Sequence, residues 1–399
     1  MEEILANAKR LYRLKSNQPL PAFKRYLFDE LVRSPAKMTA IYGSRGVGKT
    51  TILMQLLREN EGKEKLYISC DHPMFSGVSL FDFVDEYSKR GGELICIDEV
   101  HEAENYEQML KSIYDFLDIE VYFTGSSAIA LRSPDFARRY SMYHLYPLSF
   151  REFLELSMDV ELPAYTLEEI LEDHEKIADR IIDALPNKKI LKHFYTFWDV
   201  GVYPFYFEDK NRYIDRINDT INKILHIDLS TIHSIQPDKI DTLKKILLTI
   251  CVSEPFEVNI EKLAKVAGIS KATLYKYLAY LDEAELICLI KNEAKRFANI
   301  RKPDKLYLAN TNLANALCAE SKTGTLRETF FVSQIKTKHT IYYANEGDFL
   351  IDEKYRAEIG GKEKGFKQIK DLPDSFVAAD GIEIGYGRKI PLWLFGFLY

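Results

Sequence analysis

A chain of 399 residues with 46% hydrophobic and 29% charged side chains has material for two to four domains with cores of their own, and its composition is that of a soluble globular protein. The formal net charge of −6 excludes a surface that grips nucleic acid over its whole extent, but leaves room for local basic patches. No apolar run is long enough to span a membrane, and the most apolar stretch, Ile390 to Tyr399, is predicted to be a buried terminal strand.

The start, Met1-Glu2-Glu3, lacks the pattern of a signal peptide. Five scattered cysteines (Cys70, Cys96, Cys251, Cys288, Cys318) show no C-x-x-C spacing, and two fall in predicted core strands. They predict reduced, buried thiols and a cytoplasmic setting, with neither a disulfide frame nor a zinc site. Residues 1–37 read as two helices broken around Pro19 and Pro21 and packed against the domain that follows. Arg10 and Arg13 there are either surface charges or cations that approach the ligand of that domain.

The chain is organised around Gly43-Ser44-Arg45-Gly46-Val47-Gly48-Lys49-Thr50, a G-x-x-x-x-G-K-[ST] loop. An apolar strand, Met38 to Tyr42, leads in, and an amphipathic helix from Thr51 leads out. Glycines let the backbone wrap around a phosphate chain with its N–H groups inward, and the helix adds the positive end of its dipole. The pattern assigns Gly43 to Thr51 to a nucleoside triphosphate, Lys49 to its β- and γ-phosphates and the Thr50 hydroxyl to Mg²⁺. A second strand spans Leu66 to Asp71. A third, Leu94 to Ile97, ends in Asp98-Glu99: Asp98 is placed to bind Mg²⁺ through its water shell, and Glu99 to orient and deprotonate the attacking water. The fourth, Glu120 to Thr124, runs into Gly125-Ser126-Ser127. Hydroxyls at the carboxyl end of a parallel strand face the ligand crevice, which suits Ser126, then Thr124, as a γ-phosphate sensor; a plain Gly-Ser turn fits equally.

The motifs together carry a resemblance. Gly43 to Thr51, Ile97-Asp98-Glu99-Val100-His101, Phe123-Thr124-Gly125-Ser126-Ser127 and Tyr146-Pro147-Leu148-Ser149-Phe150-Arg151-Glu152-Phe153 resemble those of prokaryotic AAA-type ATPases of the archaeal and bacterial "ATP-binding protein" kind. That resemblance implies a helical lid, a winged helix and a C-terminal domain resembling restriction endonucleases. It also implies an arginine finger or γ-phosphate sensor near a Gly-Arg pair; this chain has Arg138-Arg139, and Arg139 matches best. Two solvated arginines are the alternative. The turn Trp198 to Pro204 resembles the family's Gly-Gly-aromatic-Pro element, with Val202 in place of the second glycine.

The expected architecture is thus α/β: a P-loop NTPase parallel-sheet core with N-terminal helices (1–150), a helical lid (151–236), a winged helix-turn-helix (237–306) and a small α+β nuclease-like domain (307–399). Helices at Ile240–Cys251, Ile260–Ala267 and Lys271–Glu283 with a Gly268 turn have helix-turn-helix spacing. Lys271, Thr273, Tyr275 and Lys276 lie at the start of the recognition helix, and a basic stripe follows through Lys291, Lys295, Arg296, Arg301, Lys302 and Lys305. Two uses fit: duplex DNA, or contact with another protein or another copy of the chain. In the last hundred residues Glu328, Asp348 and Glu358 have the order of a restriction-type metal site, with solvated acids as the alternative. The lysine expected after Glu358-Ile359 is replaced by Gly360, and Lys362 substitutes only if the Gly360-Gly361 pair bulges. This predicts a nuclease-like fold with weak or absent cleavage. A guanine-reading Asn-Lys-x-Asp motif is absent, which points to ATP rather than GTP.

Overall fold

The computed structural model describes residues 1–125, 138–233, 235–252, 260–295 and 305–399. The chain divides into two compact units, Met1–Pro147 and Leu148–Tyr399.

In the first unit α1 (Glu2–Ser16) and α2 (Phe28–Arg33) precede an α/β core of β1 (Met38–Tyr42), α3 (Lys49–Glu59), β2 (Lys65–Ser69), α4 (Leu80–Lys89), β3 (Leu94–Asp98), α5 (Tyr106–Phe116), β4 (Glu120–Gly125) and β5 (Ser141–His144). The strand order is β2-β3-β4-β1-β5, with every pairing parallel. β1 and β3 are buried along their whole length, which is why they read as unbroken apolar runs rather than alternating ones. β5 was not expected: Ser141-Met142-Tyr143-His144 has no apolar run, and as a half-exposed edge strand it needs none. The order puts β4 between β1 and β3, so the carboxyl end of β4 lies between the phosphate loop and Asp98-Glu99.

The second unit opens with α6 (Phe150–Met158), started by a reciprocal capping box between Ser149 and Glu152. α7 (Leu167–Ala184) and α8 (Ile190–Asp199) follow. Phe150, Phe194, Phe197 and Trp198 meet Phe330, Trp393 and Phe397 from the end of the chain in one aromatic cluster. Then come α9 (Tyr213–Lys223), α10 (Leu229–His233), α11 (Ile240–Val252), α12 (Ile260–Ala267) and α13 (Lys271–Glu283), and an antiparallel hairpin of β6 (Ile287–Ile290) and β7 (Lys305–Leu308). Gly268 turns the chain between α12 and α13 with φ +67°, and Ser270 caps α13 through the Thr273 N–H. After α14 (Thr311–Leu317) and α15 (Thr323–Ile335), a sheet of β8 (Ile341–Tyr343), β9 (Phe349–Ile351), β10 (Tyr355–Gly360), β11 (Ser375–Ala379) and β12 (Lys389–Pro391) completes the fold. Its order is sequential: β8, β9 and β10 pair antiparallel, and β10, β11 and β12 parallel. The apolar terminus is a strand only as far as Pro391; Leu392–Phe397 wind into a buried 3₁₀ turn, a correction to the terminal strand expected.

Asn312 organises the turn after α8. Its side chain accepts from the Val202 N–H at 2.9 Å and from the Tyr213 hydroxyl, and donates to the carbonyls of Phe197 at 3.0 Å and Trp198 at 2.9 Å. A second correction concerns the thiols. Cys251 and Cys318 form a disulfide across 67 residues of sequence, because packing of α11 against α14 brings their Cα atoms to 5.3 Å. Cys70, Cys96 and Cys288 are free and buried.

Candidate nucleotide site

The phosphate loop takes its shape from two glycines. A Cβ on Gly43 would lie 2.2 Å from the Leu145 carbonyl oxygen, so only glycine lets the loop pass the end of β5. Gly48, at φ +99°, occupies the N-cap of α3 without a side-chain cap, leaving the first amides of the helix facing the loop. Lys49 is 5% exposed, and its ammonium lies inside the loop, donating to the carbonyls of Gly43 at 2.8 Å and Ser44 at 3.1 Å. Arg25, just ahead of α2, braces the outside: it donates to the Val47 carbonyl at 2.7 Å and to the Tyr146 carbonyl at 2.7 Å. Nothing in the spacing of the sequence marks Arg25, which acts on backbone atoms rather than through a motif.

At the ends of the neighbouring strands Asp98, 2% exposed, gathers three hydroxyls. Its Oδ2 accepts from Thr50 at 2.6 Å and from Tyr67 at 2.8 Å, and its Oδ1 accepts from Thr124. The Thr124 oxygen in turn accepts from the Glu99 N–H at 3.0 Å. Glu99 stands at φ +49°, an unusual backbone for a non-glycine residue and of the kind found at functional sites. Its carboxylate lies 3.6 Å from His101 Nδ1. Burial, and then the Asp98 charge, push the Tyr67 phenol far above its ordinary value, so it remains a hydrogen-bond donor. A cavity of about 730 Å³ opens here, lined in part by Lys15, Arg45, Thr50, Tyr67, Asp98 and Glu99. The donor set fits Mg²⁺, a hard ion that takes one or two carboxylate or hydroxyl oxygens and otherwise keeps water and phosphate.

The other expected residues are distributed as follows. Thr51 follows Lys49 and Thr50 in the first turn of α3. Ser126 lies outside the described residues, and Thr124 serves Asp98 and Glu99. Arg139 makes a two-point ion pair with Asp115 at the end of α5, with Nε–Oδ1 at 3.0 Å and a second nitrogen on Oδ2 at 3.2 Å; it does not line the cavity. The same hydrogen bonds hold the Asp115 carboxyl below its usual range. Arg10 and Arg13 are exposed, and Lys15, two residues beyond Arg13, is the α1 cation that lines the cavity.

In the second unit Lys271 and Lys276 are exposed at the start of α13, with Thr273 and Tyr275 half-buried beside them. Lys271 pairs with Glu261, and Lys276 lies over the Tyr280 ring. Arg296, Arg301 and Lys302 are outside the described residues. Lys305 corrects the expected stripe: it is 1% exposed and turned inward, 3.4 Å from Glu328. Glu328 also accepts from the Tyr307 hydroxyl. Asp348 accepts from the Ile359 N–H at 2.7 Å, and the fully buried Glu358 pairs with Lys364, which lies over Gly360 where a Cβ would sit 2.5 Å from its side chain. Lys364, rather than the exposed Lys362, is thus the cation at this register. Burial pushes both Glu328 and Glu358 up, and the Asp348 charge adds to this. Among the described residues no three acidic, histidine or cysteine side chains group as metal ligands. Lys305 and Lys364 are the cations paired with Glu328 and Glu358.

Residues 35–154 match the model of an AAA domain, and residues 191–324 match a domain of unknown function, DUF8612. The chain is 26% identical over 399 residues to the uncharacterized protein MJ1637 of Methanocaldococcus jannaschii, covering 91% of this chain and 84% of that one. It is 24% identical to the uncharacterized protein MJ1544 of the same organism, covering 85% and 76%. Among solved structures, the Walker-type ATPase PABY2304 of Pyrococcus abyssi aligns over 75% of this chain and 98% of its own with a TM-score of 0.41 at 14% identity. A RuvB structure from Thermotoga maritima aligns over 75% and 95% with a TM-score of 0.29 at 19% identity. No helix among the described residues is long and apolar enough to cross a membrane. The parallel sheet, the two Walker motifs and the family match agree on an AAA-type P-loop domain, matched over residues 35–154.

Proposed function

We propose that the protein binds ATP with Mg²⁺ and hydrolyses it. The observation that carries this reading is the hydrogen-bonded set Thr50–Asp98–Thr124–Glu99, which ties the phosphate loop, the metal carboxylate and a candidate base into one arrangement at the mouth of a cavity. Lys49 and the open amides of α3 bind the β- and γ-phosphates. Thr50 and Asp98 are the residues that would hold Mg²⁺, which when bound neutralises charge on the β- and γ-oxygens. Glu99 accepts the proton of a water that attacks the γ-phosphorus; the bond to the bridging oxygen breaks, leaving ADP and phosphate. Arg139 reaches the reaction only by leaving Asp115, in its own chain or toward a second copy.

Downstream, we propose that α12, α13 and the β6–β7 hairpin form a winged helix, whose exposed Lys271 and Lys276 favour a polyanion such as duplex DNA over an apolar protein surface. The C-terminal sheet, three antiparallel strands followed by parallel ones, supports a nuclease-like scaffold whose acids are neutralised by Lys305 and Lys364 and which does not cut. The test is steady-state ATP hydrolysis with Mg²⁺ by wild type and Glu99→Gln, each with and without duplex DNA. Turnover that rises with DNA and collapses in the variant is expected. Turnover indifferent to DNA makes the winged helix a protein-contact module, and no turnover in either leaves a nucleotide-binding switch.

A further inference from the structure

Two of the three hydroxyls on Asp98, those of Thr124 and Tyr67, belong to neither Walker motif. Tyr67, at the middle of β2, is 8% exposed and donates to the same oxygen, Oδ2, that accepts from Thr50. The phenol oxygen itself accepts from the Lys15 ammonium of α1 at 3.1 Å, and that ammonium also lies 4.4 Å from the centre of the Tyr67 ring. A cation, a phenol and a carboxylate are therefore in series, reaching across 52 residues of sequence from the first helix to β2 and from there to the end of β3. The cation polarises the O–H toward Asp98, and charge-assisted hydrogen bonds of this kind are short and directional. With Thr124 on Oδ1 and Tyr67 on Oδ2, the carboxylate is held from both sides and cannot turn about its own axis.

We propose that Tyr67, backed by Lys15, is a positioning residue that fixes the Asp98 carboxylate for Mg²⁺. This rests on the nucleotide-site reading above and deepens it. Outer-shell donors to metal-binding carboxylates are commonly worth about ten- to a hundredfold in metal affinity, because a carboxylate free to rotate loses the orientation that makes it a good partner for metal-bound water. Lys15 acts on the same atom at one remove, so its removal has a smaller effect in the same direction. It also makes α1 part of the metal site in energetic terms: a displacement of the helix that takes Lys15 from Tyr67 weakens Mg²⁺ binding without touching the phosphate loop.

The test uses the full chain and a fluorescent N-methylanthraniloyl-ATP probe, titrated with Mg²⁺ at fixed nucleotide and separately measured in EDTA. Tyr67→Phe, which keeps the ring and removes only the hydroxyl, is expected to raise the half-saturating Mg²⁺ concentration about tenfold. Lys15→Met is expected to raise it by a smaller factor, read against that variant's own affinity in EDTA because Lys15 lines the cavity, and Tyr67→Phe should match wild type in EDTA. Unchanged or tighter Mg²⁺ dependence in Tyr67→Phe overturns the proposal, as does an equal loss in EDTA, which would mean damage to the loop. Lys15→Met, at a half-buried position on another element, decides the matter if Tyr67→Phe does not fold. If wild type itself binds no probe in Mg²⁺, the nucleotide reading fails, an outcome distinct from failure of the relay.

Discussion

Thr50 Oγ1 lies 2.6 Å from Asp98 Oδ2, joining the last residue of the phosphate loop to the end of β3 across 48 residues of sequence. Thr124, on the strand between them, bonds the same carboxylate and the Glu99 backbone, so one hydroxyl sets the position of both acids. Thr124→Val keeps the shape of the side chain and removes both bonds. Nucleotide affinity should be preserved while the hydrolysis rate drops about tenfold, the cost of a hydrogen bond or more to a charged group. Parallel binding and turnover assays would show it, and a loss of binding equal to the loss of turnover would contradict it.

Asn312 satisfies four partners around the turn at Val202. Asn312→Ala leaves the Val202 N–H and the carbonyls of Phe197 and Trp198 buried without it, and the expected loss is about 3–5 kcal/mol from the second unit. Gly201 should be as intolerant, because at φ +102° an added Cβ would sit 2.4 Å from the Phe153 ring. Urea unfolding followed by tryptophan fluorescence reports on this unit, since both Trp198 and Trp393 lie within it.

The Cys251–Cys318 disulfide closes a loop of 67 residues within the second unit. In the chain-entropy account a loop of that length stabilises by about 4 kcal/mol at most. Mild reduction, or Cys318→Ser, should therefore lower the unfolding midpoint of the second unit and leave that of the first unchanged. Equal midpoints in both redox states would show that the bond does not form in solution.

His233 gives a pH signature. It stacks on Tyr280 at 3.5 Å, and burial, then the Lys276 charge, lower it from 6.5 to about 4, outweighing Glu283 at 3.6 Å. A histidine held neutral in the fold binds its proton more readily when unfolded. Its contribution is therefore complete above pH 6.5 and is lost as pH falls toward about 4. His233→Phe should flatten the stability of the second unit across that window; an unchanged slope would assign the acid sensitivity elsewhere.

The paired lysines predict the behaviour of the C-terminal acids. Mn²⁺ titrated against the Mg²⁺-free protein should give no heat beyond that of the proposed nucleotide site, and Lys364→Ala should destabilise the fold by about 1–2 kcal/mol, less than for a fully buried pair because Lys364 is one-third exposed. Calorimetry and unfolding curves test the two halves separately; a second Mn²⁺ site lost in Asp348→Ala would restore a metal centre.

What was legible in advance was local. The phosphate loop, Asp98-Glu99 and the helices on either side of Gly268 are each written in a few consecutive residues, because glycine geometry, strand burial and helix periodicity act over one turn or one strand. The structure begins and ends several elements, β1, α12, α13 and β8 among them, at the residues that those patterns predict. What only the tertiary structure decided is pairwise and distant: that β4 lies between β1 and β3, that Tyr67 and Lys15 reach Asp98, that Arg25 holds the loop, that Lys305 turns inward to Glu328, and that Cys251 meets Cys318. Each depends on strand order or helix packing between segments about 20 to 120 residues apart. A lone lysine, tyrosine or cysteine carries no periodicity of its own, and the same side chain is a surface charge or a buried partner according to what the fold sets opposite it.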